Sequence, residues 1–391
     1  MSESVKILIT GNGFDIAHGL QTGYTDFLDF CKHVKNFCWH LDINSQEGIF
    51  LGDIQNWKLN EQIKDEFIEA FKTRENLGIF NEIKRLTVNN VWIDFMSRVS
   101  NSQAKRGINW VDFETEIKNV ISFVDRTESD LTSSCVDLMN KFALKNYIQD
   151  LSAGDIEKLS IFNECLRNAY YDEHKHEEVK KYYPLTVRDF RKYIYDELED
   201  LIRALELYLA HFINHIECKP LPLIAKIRPD YVLNFNYTNT FERVYPDVKP
   251  EIIYVHGKCD EAEHENNMIL GINEYWRTDE EIMSNVNYAI FKKYVQRIRK
   301  RTVYQYRPLK KLVKANEASL FFVHIFGHSL DVTDKDILAD FLSSPRADIT
   351  VYYHNKESEG ELIAKMIALT GAEYVIESVN NNRLRFCKSF E

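Results

Sequence analysis

Hydrophobic and polar positions along the chain follow two rhythms. Near the N-terminus, Val5, Ile7, Leu8 and Ile9 form a short apolar run that is rich in β-branched residues and bounded by glycine, which predicts a buried strand. From Tyr24 the rhythm turns helical: Phe27, Leu28, Cys31, Val34 and Phe37 recur at near-helical spacing and predict a helix to about residue 39. The helical pattern persists to about residue 225, with helices expected over 61–72, 92–99 and 110–124. The clearest is expected over 189–216, where Leu198, Leu201, Ile202, Leu205, Leu209, Phe212 and Ile216 make one apolar stripe of the packing kind. At Pro220-Leu221-Pro222 the short-strand rhythm returns. Strands are predicted over 230–235, 251–255, 267–272, 319–326, 348–353 and 374–377, with helices over 334–342 and 359–369. Strands alternating with helices indicate a parallel sheet. The expected fold is therefore α/β: a Rossmann-like, mostly parallel sheet built from residues 1–30 and 226–391, with an α-helical domain inserted at 31–225.

In parallel sheets of this kind a ligand lies at the carboxyl ends of the strands. Each apolar strand here ends in a polar cluster. The first ends in Gly11-Asn12-Gly13-Phe14-Asp15, where glycines permit a tight turn and a close backbone approach to a ligand, and a helix start offers unpaired N–H groups. The full three-glycine dinucleotide fingerprint is absent. The second strand ends in Asn234-Phe235-Asn236-Tyr237-Thr238-Asn239-Thr240, and the third in His256-Gly257-Lys258. The fourth ends in Gly327-His328-Ser329-Leu330-Asp331, followed by Asp334. Singly, such residues cap helices, turn chains or satisfy core carbonyls. Together they predict one crevice lined by Asn12, Asp15, Asn234, Asn236, His256, His328, Ser329 and Asp331.

Side-chain amides and glycine N–H groups suit phosphates and ribose hydroxyls, and a histidine supplies a base near neutral pH. Cleavage of an N-glycosidic bond to nicotinamide needs a firmly held ribose, a carboxylate or amide near the developing charge, and a water. Asn236, His256 and Asp15 could meet those needs. Two alternatives stay open: Ser329 beside His328 as a nucleophile, and Asp15 with Asp331 as a glycosidase-like carboxylate pair.

Charge and composition narrow the partners. The chain has 391 residues and a formal net charge of −11, which opposes wholesale nucleic-acid binding. One acid-free stretch, 292–311, gathers nine lysines and arginines with Tyr294, Tyr304 and Tyr306. It could hold a nucleic acid, but a solvated helix face balancing the acidic insert is the favoured reading. Seven scattered cysteines without a CxxC pair fit reduced thiols in a cytoplasm better than a disulfide frame or zinc site. No apolar run is long enough to cross a bilayer, and the N-terminus lacks a signal-peptide core, so a cytoplasmic protein off the membrane is expected. His174 and His176 sit in a charged segment that reads as a solvated loop, and no metal is expected. Asp112 reads as a helix cap.

The series GNGFDIAHGL, YTDFL, WVDFE, NFNYTNT, VHGK, LGIN and FGHSLD resembles the AbiH-type family of bacteriophage abortive-infection proteins, from the N-terminus to about residue 340. The resemblance implies a bacterial cytoplasmic protein that protects a population from phage. A more distant likeness is to the sirtuin-like NAD-binding domains of antiphage proteins. It implies that Gly11 and Gly13 face phosphates, and that Asn236 and His256 stand for the catalytic amide and histidine. Gly327, Ser329 and Asp331 would then lie near the adenosine side. Asn12, Phe14, Asn234, Thr238 and His328 complete the expected cofactor-binding set for NAD, although Asn12 and Phe14-Asp15 stand where sirtuin-like domains usually have Ala and a small hydroxyl residue. Thr238 stands where an Asp is expected, and no four-cysteine module is present, which argues against deacetylation. Three functions follow as expectations: an NAD-consuming or related nucleotide hydrolase, a nucleotide sensor without turnover, or a nucleic-acid effector using 292–311. Assembly of copies through the helical insert is a further expectation.

Overall fold

The computed structural model describes residues 4–43, 54–72, 77–108, 111–128, 152–173, 187–260, 266–273, 286–314 and 320–389. His174 and His176 lie outside the described residues, as does Trp110. The chain divides into two compact units. One comprises Met1–Thr22, Ile213–Ile269 and Arg297–Glu391; the other comprises Gly23–Phe212 and Leu270–Gln296.

The first unit is built on a six-stranded sheet: β1 (Val5–Thr10), β2 (Tyr231–Asn234), β3 (Glu251–Tyr254), β4 (Phe321–Phe326), β5 (Ala347–Tyr353) and β6 (Leu384–Lys388). Their spatial order is β3-β2-β1-β4-β5-β6, and every pairing is parallel. This is the order of the doubly wound dinucleotide-binding fold, in which the chain reverses direction of travel between β1 and β4. Successive residues of β1 face opposite sides of the sheet. Ile7 and Ile9 join Val323, Ile325, Ile349 and Val351 in a core covered by Ile337, Leu338 and Phe341 of the helix Lys335–Leu342 and by Met366 and Leu369 of Lys356–Thr370. Leu8 and Val232 face the other way, onto Phe14, Ile224, Phe241 and Tyr245. Both faces are thus buried, which is why the strands read as continuous apolar runs. His18 lies under that second face, with Nδ1 2.7 Å from the Phe14 carbonyl and Nε2 2.8 Å from the Tyr245 hydroxyl.

The second unit is helical. Its described helices include Tyr24–Ile43, Glu61–Lys72, Leu77–Thr87, Val91–Ala104, Phe113–Glu128, Ala153–Glu173 and Val187–Leu207. The predicted stripe over 189–216 is a helix to Leu207, followed by a π-helical stretch, Tyr208–Ile213. Aromatic rings dominate the interior, with Phe30 4.9 Å from both Tyr208 and Phe212. Asp112 is a cap: its Oδ1 accepts from the Glu114 and Thr115 backbone N–H groups.

Two predicted strands are corrected. Residues 374–377 lie in a helix, Ala372–Asn380, because the buried positions Val375 and Ser378 recur at helical spacing while Ile376 and Val379 stay exposed. The sixth strand is instead Leu384–Lys388, on the sheet edge. Residues 267–272 form no strand beyond a single bridge from Ile272 to Lys292. The apolar Met268, Ile269 and Leu270 are buried, so apolarity there reports burial of a connecting segment and not sheet pairing. Among the described residues no helix is long and apolar enough to cross a membrane.

Candidate functional site

Because all six strands are parallel, the polar clusters after β1, β2, β3 and β4 emerge on one edge of the sheet, and contacts knit them together there. The amide nitrogen of Gly13 donates to the Gly327 carbonyl at 2.8 Å, joining the turn after β1 to the turn after β4. The glycines make this approach possible. A Cβ on Gly11 would stand 2.7 Å from the His328 Cα, and one on Gly13 would stand 2.8 Å from the Gly327 Cα. Gly327 itself has φ +70°, and a Cβ there would meet the Phe14 nitrogen at 2.1 Å. The three glycines are therefore spent on backbone against backbone.

The asparagines hold the neighbouring turn. Thr10 Oγ1 donates to Asn234 Oδ1 at 3.0 Å, and that oxygen also accepts from the Asn236 backbone N–H at 2.9 Å. Asn234 Nδ2 donates to the Thr238 carbonyl at 3.1 Å, closing the loop on itself. Asn236 Nδ2 reaches back 2.9 Å to the Gly11 carbonyl. Asn12 is exposed and accepts from Thr22 Oγ1 at 2.6 Å.

Asp15 is 1% exposed. Its Oδ2 accepts from Thr238 Oγ1 at 2.6 Å, and Thr240 Oγ1 in turn donates to Thr238 at 3.1 Å. Its other oxygen, Oδ1, has no hydrogen-bond partner. Desolvation pushes the carboxyl up to about 6, against the smaller opposing pull of Thr238, Thr240, Arg243 and Asn236.

A second network joins the ends of β3 and β4. His256 Nε2 lies 3.1 Å from Asp334 Oδ1, and His328 Nε2 lies 3.8 Å from Asp334 Oδ2. His328 Nδ1 accepts from the Leu330 backbone N–H at 2.9 Å, which places the proton of a neutral ring on Nε2, toward Asp334. The Phe235 ring packs at a steep angle to both imidazoles, 5.4 Å from His256 and 4.3 Å from His328. Arg297 completes the group, with Nη2 3.6 Å from Asp334 Oδ1 and Nη1 2.5 Å from Asp336 Oδ2. The backbone behind His256 is pinned by the segment predicted as a strand. The Ile269 N–H donates to the His256 carbonyl at 2.8 Å, and Asn267 Oδ1 accepts from the Lys258 N–H at 2.8 Å. Gly257, at φ +85°, lies where a Cβ would strike the Asn267 carbonyl oxygen at 2.2 Å.

A continuous set of contacts therefore links Gly11, Gly13, Asp15, Asn234, Asn236, Thr238, His256, Gly327 and His328. Phe14 is buried beneath them, with its ring 6.0 Å from that of Phe326. Ser329 is exposed beside His328, and Asp331 is half-buried, its side chain capping the short turn Val332–Asp334 through the Thr333 N–H. Among the described residues no cluster of His, Cys, Asp and Glu is arranged to hold a metal ion.

The family described as bacteriophage abortive infection AbiH matches residues 7–353, a span that contains every one of these clusters. The chain belongs to the AbiH family. Membership assigns it a role in abortive infection of bacteriophage. No curated protein and no solved structure matches the chain.

Two residues of this AbiH chain's strand-edge cluster are visible in the sequence without their roles: Asp334, named only as following the fourth cluster, is the hub of the imidazole pair, and Arg297, read only as part of the basic stretch, lies beside it. The acid-free stretch 292–311 is a solvated face only in part: Arg299, Arg301, Arg307 and Lys311 are exposed. Lys292, Lys293, Gln296 and Arg297 are all buried. Lys293 pairs with Glu114 at 2.8 Å, and Lys300 donates to the Met268 carbonyl at 2.8 Å. Lys293 and Arg297 are one helical turn apart in the helix Lys293–Arg299, and this i, i+4 spacing is the sequence signal that they share a face.

Proposed function

We propose that this AbiH chain binds a nucleotide along the carboxyl edge of its sheet and hydrolyses it, with NAD the first candidate substrate. The observation that carries the reading is the His256–Asp334–His328 network at the edge of a sheet with dinucleotide-binding strand order. The resemblance of the motif order to that of sirtuin-like NAD-binding domains is what favours NAD over other nucleotides in this reading.

In this reading His256, oriented by the Asp334 carboxylate, takes a proton from the attacking water. Water adds to the ribose carbon, the bond to nicotinamide breaks, and the products are ADP-ribose, nicotinamide and one proton. Asp15 lies on the β1 side, where its free Oδ1 accepts from a ribose hydroxyl. Asn236 acts through the Gly11 carbonyl it holds, so it positions the turn and does not touch the substrate. Depletion of such a metabolite accounts for how an abortive-infection protein halts an infected cell.

The test is incubation of the full chain with NAD and ATP, followed by chromatography, alongside His256→Ala and Asp334→Asn. Loss of NAD that falls roughly 100-fold or more in His256→Ala supports hydrolysis. Intact NAD and ATP with the wild-type chain, or turnover indifferent to both substitutions, contradicts it.

A further inference from the structure

The glycine turn after β1 is closed by Gly327, so its backbone is not the open cradle that a phosphate needs. The unspent donors of this edge lie elsewhere. Arg297 is 2% exposed. Its Nη1 is taken by Asp336, but both Nε and Nη2 lack a hydrogen-bonding acceptor. Those two nitrogens are the two parallel donors of one side of a guanidinium, the geometry that matches a pair of oxygens on a phosphate or carboxylate. A buried guanidinium with this fork left open carries a desolvation cost that an anion would offset. Asp334 does not fill it: its Oδ1 is 3.6 Å from Nη2, beyond hydrogen-bond reach, and faces His256 at 3.1 Å.

We propose that the Nε–Nη2 edge of Arg297 is a phosphoryl-binding subsite, taking a non-bridging pair of phosphate oxygens from the nucleotide whose reacting bond lies at His256. This rests on the nucleotide reading above and adds to it the source of phosphate recognition. The anion is held by a side chain from the helix Lys293–Arg299, and the glycine turn serves as a loop-to-loop seam. Next to the subsite, the Asp334 carboxylate is turned toward the imidazoles, with Oδ1 3.1 Å from His256 Nε2 and Oδ2 3.8 Å from His328 Nε2.

The experiment titrates the full chain with pyrophosphate and, separately, with acetate, by calorimetry, for the wild type, Arg297→Lys and Asp336→Asn. Lysine keeps the charge and loses the fork. The inference expects pyrophosphate binding by the wild type, weakened about tenfold or more in Arg297→Lys, retained in Asp336→Asn, and acetate binding far weaker than pyrophosphate. If Arg297→Lys does not fold, a crystal of the wild type soaked in pyrophosphate decides, since density must lie on the Nε–Nη2 edge. No pyrophosphate binding by the wild type, equal binding by Arg297→Lys, preference for acetate, or density elsewhere overturns the inference. Pyrophosphate binding lost in Arg297→Lys while NAD and ATP stay intact would leave the subsite standing and remove the hydrolysis.

Discussion

Asp15 is the residue whose energetics say most about the site. Its carboxyl is raised from 3.8 to about 6 because burial disfavours the charged form. A raised carboxyl pKa means that the native state keeps its proton over a range where the unfolded chain has lost it. Stability from this group is therefore highest below about pH 4, falls as pH rises toward 6, and stays low above that. The two pKa values differ by about two units, so the cost at pH 7 is on the order of 3 kcal/mol. Asp15→Asn removes the ionisation and keeps an acceptor for Thr238. It should raise the melting temperature at pH 7 and leave it nearly unchanged at pH 4, as read by thermal denaturation across pH. A variant that melts lower than wild type at pH 7 would show the carboxylate to be structural. The sequence marks Asp15, through its place two residues after Gly13, but not its burial, which depends on Thr238 and Thr240 more than 220 residues away. The roles of Asp334 and Arg297 are hidden for the same reason: both residues are named in the sequence, but each gains meaning from a partner on another element.

At the scale of elements, the turns after β1 and β4 form one unit. A strand, a glycine turn and a helix are legible in residues 5–17, and so is the glycine after the fourth strand. The sequence does not show that Gly11, Gly13 and Gly327 serve each other. Gly327→Ala combines a left-handed backbone with a Cβ 2.1 Å from the Phe14 nitrogen, so it should destabilise the chain by roughly 3 kcal/mol or more. Chemical denaturation measures this, and a change below about 1 kcal/mol would mean that the two turns are not locked. Strand periodicity found β1 to β5 to within a residue or two because both sheet faces are buried. It failed at 374–377, where Tyr-Val-Ile carries strand-like residues on a helix, and at β6, an edge strand too polar to read as apolar. Residues 267–272 misled because their burial comes from bracing the His256 turn.

For the whole molecule, net charge and the 292–311 stretch point in opposite directions, and burial resolves them. Lys293 is committed to Glu114, Arg297 spends only Nη1 on Asp336, and Lys310 pairs with Asp340. Arg299 and Arg301 are exposed. Arg299→Glu with Arg301→Glu should leave nucleotide turnover unchanged, as chromatography would report. A steeply salt-dependent RNA affinity lost in that double variant would instead favour a nucleic-acid effector. The α/β class was legible from rhythm alone, since strands buried on both faces and helices with apolar stripes differ in period. The strand order 3-2-1-4-5-6 was not legible, because pairing partners such as Ile7 with Tyr231 and Val323 are set by contacts across most of the chain.

The central claim is that the strand ends after β1, β2, β3 and β4 are one nucleotide site. Hydrogen–deuterium exchange of the full chain with and without saturating NAD tests it without requiring turnover. The account predicts slowed exchange at residues 11–18, 234–240, 256–258 and 327–334 together, with the rest of the sheet unchanged. Protection confined to other segments, or none at these four, would contradict it.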